Sequence, residues 1–259
     1  MSRVMLIPER QSRLRELLAR RGMSDLDSLA AELRVSQSTV RRDVEAMVGE
    51  GIVRRTHGGV IWVGDASAPT RPYAFDQRMG YEMDAKRAIA TAARKLVRPG
   101  ETILIDGGTT TFYLAEELIG QPLQIVTNSL PIANLFTNDE NVELVLTGGL
   151  TYPRYGVLLG PTAESVLATI HTQTMFFSVA GVHQGSLYNQ NLLLVQSELR
   201  MMAQSQKVVL LVDSGKFGQQ ALARLCAIDA IDVVVSDARL GKDHQKVVRD
   251  AGCELIIAK

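Results

Sequence analysis

The feature that most constrains the fold is an alternation of short apolar segments and helical patterns from about residue 82 onward. Each apolar segment spans four or five residues rich in Val, Ile and Leu, as expected for strands buried on both faces. Helical periodicity lies between most of them, over 84–97, 111–119, 130–136, 161–170, 196–205 and 241–251. This alternation predicts an α/β fold with a mostly parallel sheet. The predicted strands are Thr102–Ile105, Leu123–Val126, Val142–Leu146, Met175–Val179, Val208–Val212, Ile231–Val235 and Glu254–Ile257.

The first sixty residues follow a different pattern, that of three short helices and a hairpin. The break before the third helix is two residues long, which suits a helix-turn-helix. After this helix, two β-rich runs flank Gly58-Gly59 and predict a hairpin that would form a wing. The buried stripe predicted for the third helix is Val40, Val44, Met47 and Val48.

Composition separates these two regions. Residues 64–81 lose all periodicity and contain Pro69 and Pro72, which is typical of a linker. We therefore predict a winged helix-turn-helix domain over 1–63, a linker over 64–81 and a larger α/β domain over 82–259.

The charge distribution favours a DNA-binding role for the first domain. The whole chain has zero net charge, but residues 1–60 hold 11 arginines against 8 acidic residues. Arginine suits phosphates and guanine edges, and Gln, Ser and Thr suit adenine or phosphate. A small helical bundle with a polar surface is the alternative. The predicted DNA contacts are Ser36, Gln37, Ser38, Thr39, Arg41 and Arg42 on the third helix, with Arg54, Arg55 and His57 at the hairpin.

Two segments of this region resemble the DeoR family of bacterial regulators. They are residues 35–43, Val-Ser-Gln-Ser-Thr-Val-Arg-Arg-Asp, and residues 51–60, Gly-Ile-Val-Arg-Arg-Thr-His-Gly-Gly-Val. The resemblance implies a winged helix-turn-helix protein that binds double-stranded operator DNA, by default as a repressor of sugar utilisation. It also implies that Ser38, Thr39, Arg41 and Arg42 lie on the recognition helix.

Polar or glycine-rich residues follow several predicted strands of the larger domain. The clearest group is 106–111, Asp-Gly-Gly-Thr-Thr-Thr, which follows a strand and opens a helix. Glycines, free helix N–H groups and hydroxyls together favour a phosphate. The loop lacks the Walker lysine and does not fit GxGxxG, so neither ATP nor a dinucleotide is favoured. Because carboxyl ends of parallel strands meet at one edge of the sheet, we expect one ligand site there, although such turns are also polar for local reasons.

The resemblance to the DeoR family extends over nearly the whole chain. It implies a sensor domain similar in fold to ribose-5-phosphate isomerase and the coenzyme A transferases, with phosphorylated sugars or related metabolites as effectors. Gly107–Thr110 would bind phosphate, Lys216 would lie near phosphate or sugar oxygens, and Glu198 and Arg200 would flank the site. The predicted effector-binding residues are Asp106, Gly107, Gly108, Thr109, Thr110, Asn128, Ser129, Gly148, Gly149, Arg154, Glu198, Asp213 and Lys216.

A second hypothesis is an isomerase-like enzyme with an added DNA-binding domain. Asp106, Asp213 and Lys216 could move a proton beside a sugar carbonyl. However, the sequence suggests no dense cluster of titratable groups and no catalytic motif, so we expect a regulator without catalytic residues. A structural or oligomerisation module would leave the glycine-rich loops unexplained.

The remaining expectations concern cofactors, location and assembly. We expect no metal and no cofactor, and two reduced thiols at Cys226 and Cys253. With no apolar run of membrane-spanning length and no signal core, we expect a soluble cytoplasmic protein. The paired half-sites of an operator predict a homo-oligomer, a dimer or a tetramer.

Overall fold

The computed structural model of the chain describes residues 7–21, 23–33, 35–49, 53–56, 59–62 and 75–259. The chain divides into two compact units, residues 1–72 and 73–259. Each unit has its own hydrophobic core.

The first unit contains three helices and a small antiparallel sheet. The elements are α1 (Ile7–Arg21), β1 (Met23–Ser24), α2 (Leu26–Leu33), α3 (Gln37–Gly49), β2 (Val53–Thr56) and β3 (Gly59–Trp62). The sheet order is β1-β3-β2, and Gly59 faces the Ser24 carbonyl so closely that a Cβ there would lie 2.5 Å from its oxygen. The core is formed by Leu14, Leu17, Leu18, Leu29, Ala30, Leu33, Val40, Val44, Met47, Val53 and Val60.

Two features of this unit differ from what the helical pattern indicates. The periodicity predicts a buried Val48, but this side chain is 39% exposed. Asp43, an acidic residue on a helix with a polar outer face, is buried at 4% exposure. Its carboxylate accepts hydrogen bonds from Arg10 Nε at 2.6 Å and Arg10 Nη2 at 3.0 Å, which ties α3 to α1.

The second unit is built on a seven-stranded parallel sheet, which confirms the predicted fold class. Its helices are α4 (Phe75–Met79), α5 (Met83–Arg94), α6 (Thr109–Glu117), α7 (Leu130–Phe136), α8 (Pro161–Leu167), α9 (Leu192–Ala203) and α10 (Lys242–Asp250). Its strands are β4 (Thr102–Ile105), β5 (Leu123–Thr127), β6 (Val142–Leu146), β7 (Leu150–Tyr152), β8 (Val157–Leu159), β9 (Thr172–Phe177), β10 (Gly181–His183), β11 (Ser186–Asn189), β12 (Ser205–Leu211), β13 (Ala223–Ala227), β14 (Val233–Asp237) and β15 (Glu254–Ala258).

The strand order β15-β14-β12-β9-β4-β5-β6 defines where a ligand would bind. The chain starts in the centre at β4, adds β5 and β6 on one side, and then adds β9, β12, β14 and β15 on the other. The order therefore reverses between β4 and β9. Such a reversal opens a crevice at the carboxyl ends of the strands, which is where open α/β sheets bind ligands.

The main departures from the prediction in this unit are short elements. The sequence pattern predicts neither the hairpin β7–β8 nor the antiparallel sheet β10-β11-β13. The predicted linker, 64–81, also has to be shortened, because α4 lies within it and buries Phe75 at 9% exposure. The prolines at 69 and 72 make the sequence of this segment look like a linker, but the buried side chain of Phe75 shows that α4 packs against other residues.

Candidate functional sites

The candidate DNA-binding surface is the N-terminal half of α3. Ser36 precedes the helix, and its Oγ accepts a hydrogen bond from the Thr39 backbone N–H at 3.2 Å. Gln37, Ser38, Arg41 and Arg42 are all exposed. The opposite face of the helix is buried in the core. The start of α3 therefore offers hydroxyls, an amide and two guanidinium groups on one side.

Several of the predicted DNA contacts are already engaged within the unit. Ser36 Oγ lies 2.9 Å from Ser38 Oγ and 2.8 Å from Thr39 Oγ1. Gln37 Nε2 donates to Asp27 Oδ1 on α2 at 2.8 Å, and this bond would have to break before the amide could reach a base edge. Arg55 on β2 lies 3.4 Å from Glu45 of α3, and both side chains are largely exposed. The side chain of Arg54 and the whole of His57 lie outside the described residues.

The candidate effector site begins at the loop that follows β4, beside the strand reversal. Asp106 is 4% exposed, and its carboxylate accepts a hydrogen bond from Asn128 Nδ2 at 2.9 Å. The same amide accepts the Gly107 N–H through Oδ1 at 3.0 Å. Thr111 Oγ1 donates to the Asp106 carbonyl at 2.7 Å. The loop is thus fixed from both sides, and Thr109 and Thr110 form the buried first turn of α6.

Glycine is required at several positions of this site, but the physical constraint differs from one position to the next. A Cβ at Gly107 would lie 2.1 Å from Val157 Cγ1, so packing against β8 already requires glycine there. Gly148 and Gly149 have φ values of 70° and 113° and form the turn before β7. A Cβ at Gly149 would lie 2.6 Å from the Leu159 carbonyl oxygen. Turn geometry accounts for this last pair without a ligand.

A second carboxyl lies near Asp106. Glu198, on α9, is 3% exposed, and its Oε1 accepts a hydrogen bond from Asn189 Nδ2. Its Oε2 is buried and has no hydrogen-bond partner among the described residues. Burial raises the pKa of Glu198 well above its ordinary value, and the nearby charge of Asp106 raises the pKa further. Burial also raises the pKa of Asp106, although the bonds from Asn128 and Gly107 oppose this.

Basic residues complete the site. Burial lowers the pKa of Lys86 to about 8, against the opposing effect of Asp213. Burial also raises the pKa of Asp213, while Lys216 and Lys86 lower it. The Asp213 loop is held by Asp237, whose Oδ2 accepts the Ser214 N–H at 2.6 Å. Lys86 and Asp237 are absent from the predicted site, because a helical lysine and a strand-end aspartate carry no sequence signal by themselves.

Other predicted effector residues bind residues outside this charged group or serve the fold. Ser129 Oγ accepts the Ile132 N–H at 3.4 Å and caps α7. Arg154 Nη2 donates to Gln190 Oε1 at 3.2 Å, and its guanidinium lies 5.7 Å from the Tyr155 ring centre. Arg200 is exposed, whereas Glu198 two positions earlier is buried, so the two point away from each other on α9.

The expectation that titratable groups are sparse is wrong for this unit. Four different segments of the chain contribute to a charged group of Lys86, Asp106, Glu198, Asp213 and Lys216. Within this group the charges of Asp213 and Lys216 shift the pKa of Lys86, and the charge of Asp106 raises the pKa of Glu198. A surface depression of about 570 Å³ is lined by Glu82, Asp237 and Arg239 among others, but by none of the predicted effector residues. We favour the charged group, because it lies at the strand reversal and contains an unsatisfied buried oxygen.

The buried carboxyl of Glu198 should make the stability of the protein depend on pH. Because its pKa is raised in the folded protein, folding binds a proton, and the resulting stability is present at low pH and lost as the pH rises through the folded-state pKa. Glu198→Gln should remove this loss, so that the variant unfolds at a higher temperature than wild type at neutral pH. Thermal melts between about pH 4 and pH 8 test this, starting near the ordinary pKa of a glutamate. Glu140→Gln, at an exposed position, is the control, and an unchanged pH profile for Glu198→Gln would contradict the prediction.

The described residues were also compared with the patterns of metal sites and of membrane-spanning helices. No three His, Cys, Asp or Glu side chains in the described ranges are grouped so that they could hold a metal ion. Among the helices of those ranges, none combines the length and apolar character needed to cross a membrane.

Comparison with known proteins assigns both units. Residues 10–64 match the DeoR-like helix-turn-helix domain, and residues 81–238 match the DeoR C terminal sensor domain. A helix-turn-helix domain followed by a sensor domain defines a class of transcriptional regulators. The chain belongs to the DeoR family, as the sequence motifs predict.

The relatives are regulators of similar length. The HTH-type transcriptional regulator UlaR of Shigella dysenteriae is 31% identical over 96% of this chain and 98% of its own length. The L-fucose operon activator of Haemophilus influenzae is 31% identical over 87% of this chain and 90% of its own. The uncharacterized HTH-type transcriptional regulator YulB of Bacillus subtilis is 29% identical over 95% of both chains.

Solved structures similar to this chain are more distant. A ribose 5-phosphate isomerase A from Methanocaldococcus jannaschii has 20% identity and a TM-score of 0.40 over 52% of this chain and 54% of its own. For eIF2B delta from Chaetomium thermophilum the identity is 13% and the TM-score 0.44, over 60% and 56%. These two matches span little more than half of each solved chain, and we infer no activity from them.

Proposed function

We propose that the protein is a sequence-specific DNA-binding transcriptional regulator, most simply a repressor of a carbohydrate-utilisation operon. The observation that carries the proposal is the start of α3, where Gln37, Ser38, Arg41 and Arg42 are exposed on a helix whose other face is buried. The resemblance to the family favours repression, whereas one relative is named an activator. The direction of regulation is therefore part of what an experiment has to establish.

The effector in this proposal is a phosphorylated sugar or a related metabolite, bound at the strand reversal of the second unit. The uncapped start of α6 and the cations Lys86 and Lys216 suit a phosphate. The buried carboxyls of Asp106 and Glu198 suit hydroxyl groups, which can donate to the unsatisfied oxygen. A ligand with both features matches both halves of the site.

Regulation requires that the effector bind one state of the protein more tightly than the other. We propose that the chain forms a homo-oligomer, a dimer or a tetramer, so that two α3 helices read two operator half-sites. The effector would then change the affinity of this assembly for the operator.

Arg41→Ala tests the role of α3 directly. If Arg41 reads a guanine, the variant should lose about 1–3 kcal/mol of binding free energy and lose selectivity at one position of the operator. Fluorescence anisotropy with the preferred duplex and its single-base variants measures both effects. Arg13→Ala, an exposed arginine on α1, is the matched control and should bind like wild type. Equal weakening on all duplexes would show that Arg41 contacts only phosphate.

A thermal-shift screen tests the proposed effector. The protein is melted with a panel of phosphorylated sugars and with their unphosphorylated parents, since a ligand of the native state raises the melting temperature by mass action. We expect one phosphate ester to raise it and to change the affinity for the operator, while its parent sugar does neither. A panel without any such compound would contradict the effector half of the proposal.

A second candidate function is supported by the group of perturbed pKa values. The raised pKa of the Asp213 carboxyl beside Lys86, whose pKa is lowered, and the raised pKa values of Asp106 and Glu198 are typical of acid–base sites. We therefore also propose, as a second candidate, an isomerase-like enzyme that acts on sugar phosphates. Measuring the turnover of pentose and hexose phosphates by purified protein tests this candidate. Isomerisation at a useful rate would favour an enzyme, whereas binding without turnover favours the regulator, in line with the names of the relatives.

A further inference from the structure

The short helix α4 contributes an arginine to the second unit. Phe75 packs edge-on against Phe112 of α6, with ring centres 5.5 Å apart. Tyr113 OH, also on α6, donates to the Met79 carbonyl at 3.2 Å. These contacts hold α4 against α6, the helix that follows the Asp106 loop. Arg78 is therefore fixed beside the candidate effector site, although its sequence position lies in the predicted linker.

Two nitrogens of the Arg78 guanidinium are buried without an acceptor among the described residues. Its centre lies 4.4 Å from the Tyr155 ring centre and 5.9 Å from that of Phe75. Its Nε and Nη2 atoms are buried and have no hydrogen-bond partner in the part of the chain that the structure describes. Burial lowers the pKa of Arg78, and the neighbouring Arg154 lowers it further. Leaving two charged donors unsatisfied is costly, which indicates that an acceptor is missing.

The surroundings of Arg78 indicate an anion as that acceptor. Lys86 Nζ donates to the Arg78 carbonyl at 2.6 Å, and the charges of Lys216 and Arg78 both lower the pKa of Lys86. Asp213 is the carboxylate that offsets these cations, and its own pKa is raised by burial. Tyr155 links the two sides of the site, because its pKa responds to Arg78 and to Glu198.

We propose that Arg78 binds the anionic group of the effector, a phosphomonoester, through a two-pronged pair of hydrogen bonds from Nε and Nη2. Arginine presents these donors in a planar fork that matches phosphate oxygens. Lys86 and Lys216 supply the remaining positive charge, and the carboxyl of Glu198 faces the hydroxyls. This role of Arg78 deepens the function proposed above and rests on it.

The position of α4 gives this contact a regulatory consequence. Among the described elements, α4 is the first one after β3 along the chain, so it is the part of the sensor unit nearest in sequence to the DNA-binding unit. An anion that joins Arg78 to the cations of α5 and the Asp213 loop stabilises α4 in its packed position. Effector binding therefore stabilises α4, the described element of the second unit that is nearest in sequence to the DNA-binding unit.

The test compares the full-length wild type with Arg78→Gln, Arg78→Lys and Arg87→Gln. The control arginine, Arg87, also stacks on a tyrosine, with its guanidinium 4.7 Å from the Tyr113 ring centre, but it is exposed. Inorganic phosphate is titrated calorimetrically, and hydrogen exchange of residues 75–79 is followed with and without phosphate. Melting of each variant without phosphate shows that it is folded.

We expect Arg78→Gln to bind phosphate at least about tenfold more weakly, because a hydrogen-bonded charge pair is lost. Arg78→Lys should fall between this variant and wild type, since it keeps the charge but not the fork, and Arg87→Gln should bind like wild type. Phosphate should slow exchange in α4 of wild type but not of Arg78→Gln.

Two results would overturn the inference in distinguishable ways. If wild type binds phosphate and folded Arg78→Gln binds it equally well, the role of Arg78 is wrong while the proposed effector class stands. If wild type does not bind phosphate at millimolar concentration, the anion site fails, and the effector half of the proposed function fails with it.

Discussion

Replacing Arg10 with alanine is expected to lower the free energy of unfolding of the first unit by about 3 kcal/mol. The side chain of Asp43 is only 5% exposed, and Arg10 supplies two of its hydrogen bonds. A further bond, from Gln11 Nε2 at 3.3 Å, is long and comes from a neutral group. The variant would therefore leave a buried carboxylate on α3 without its counter-charge, at the helix proposed to read DNA.

The aromatic residues let this effect be measured in one unit at a time. The single tryptophan, Trp62, lies in the first unit, and all six tyrosines lie in the second. Urea unfolding followed by tryptophan fluorescence should show the loss, whereas tyrosine fluorescence should show little change. Arg13→Ala is the matched control on the same helix. Equal stability of Arg10→Ala and Arg13→Ala would contradict the role assigned to the ion pair.

The second large effect is expected for Gly107→Ala, which should destabilise the second unit by about 2 kcal/mol. The added Cβ would lie 2.1 Å from Val157 Cγ1 and 3.4 Å from Asn128 Oδ1, so β8 or the loop has to move. The same movement should disturb the bond from the Gly107 N–H to Asn128 and weaken phosphate binding. Urea unfolding followed by tyrosine fluorescence and phosphate titration measure the two consequences.

A second substitution, at Val157, tests whether the contact between residue 107 and Val157 causes the loss of stability. In the double variant Gly107→Ala with Val157→Ala, the clash is removed, and the two substitutions should cost less together than the sum of their separate costs. Gly80→Ala is the control, because a Cβ there would meet nothing within 4 Å. Additive costs in the double variant would show that the effect of Gly107→Ala does not arise from contact with Val157.

The parallel sheet is predictable because its strands are continuous apolar segments between helices. The segments 102–105 and 142–146 and the helix 130–136 agree with the observed bounds of β4, β6 and α7. The short antiparallel strands are not predictable, because a segment of three or four residues with a single aliphatic side chain, such as Ser186–Asn189, forms a strand only when β10 and β13 pair with it. Likewise, α4 depends on the contact between Phe75 and Phe112, which no local pattern records.

The candidate sites show the same division between local and long-range information. Glycine-rich turns after strands are a local pattern, and they indicate both the Asp106 loop and the Asp213 loop. The residues that act on the Asp213 loop, Lys86 and Asp237, come from distant segments and have no motif of their own. Burial also decides the protonation of Glu198, and burial is a property of the packed unit rather than of the residue.

Selection from a random duplex library tests the central claim, that this protein reads DNA sequence through α3. The full-length protein is incubated with the library, bound duplexes are recovered and sequenced, and the selection is repeated with Arg41→Ala and with Arg13→Ala. We expect one enriched motif for wild type and Arg13→Ala, arranged as two half-sites, and a relaxed or absent motif for Arg41→Ala. Recovery of random sequence by wild type, or the same motif from Arg41→Ala, would contradict the claim.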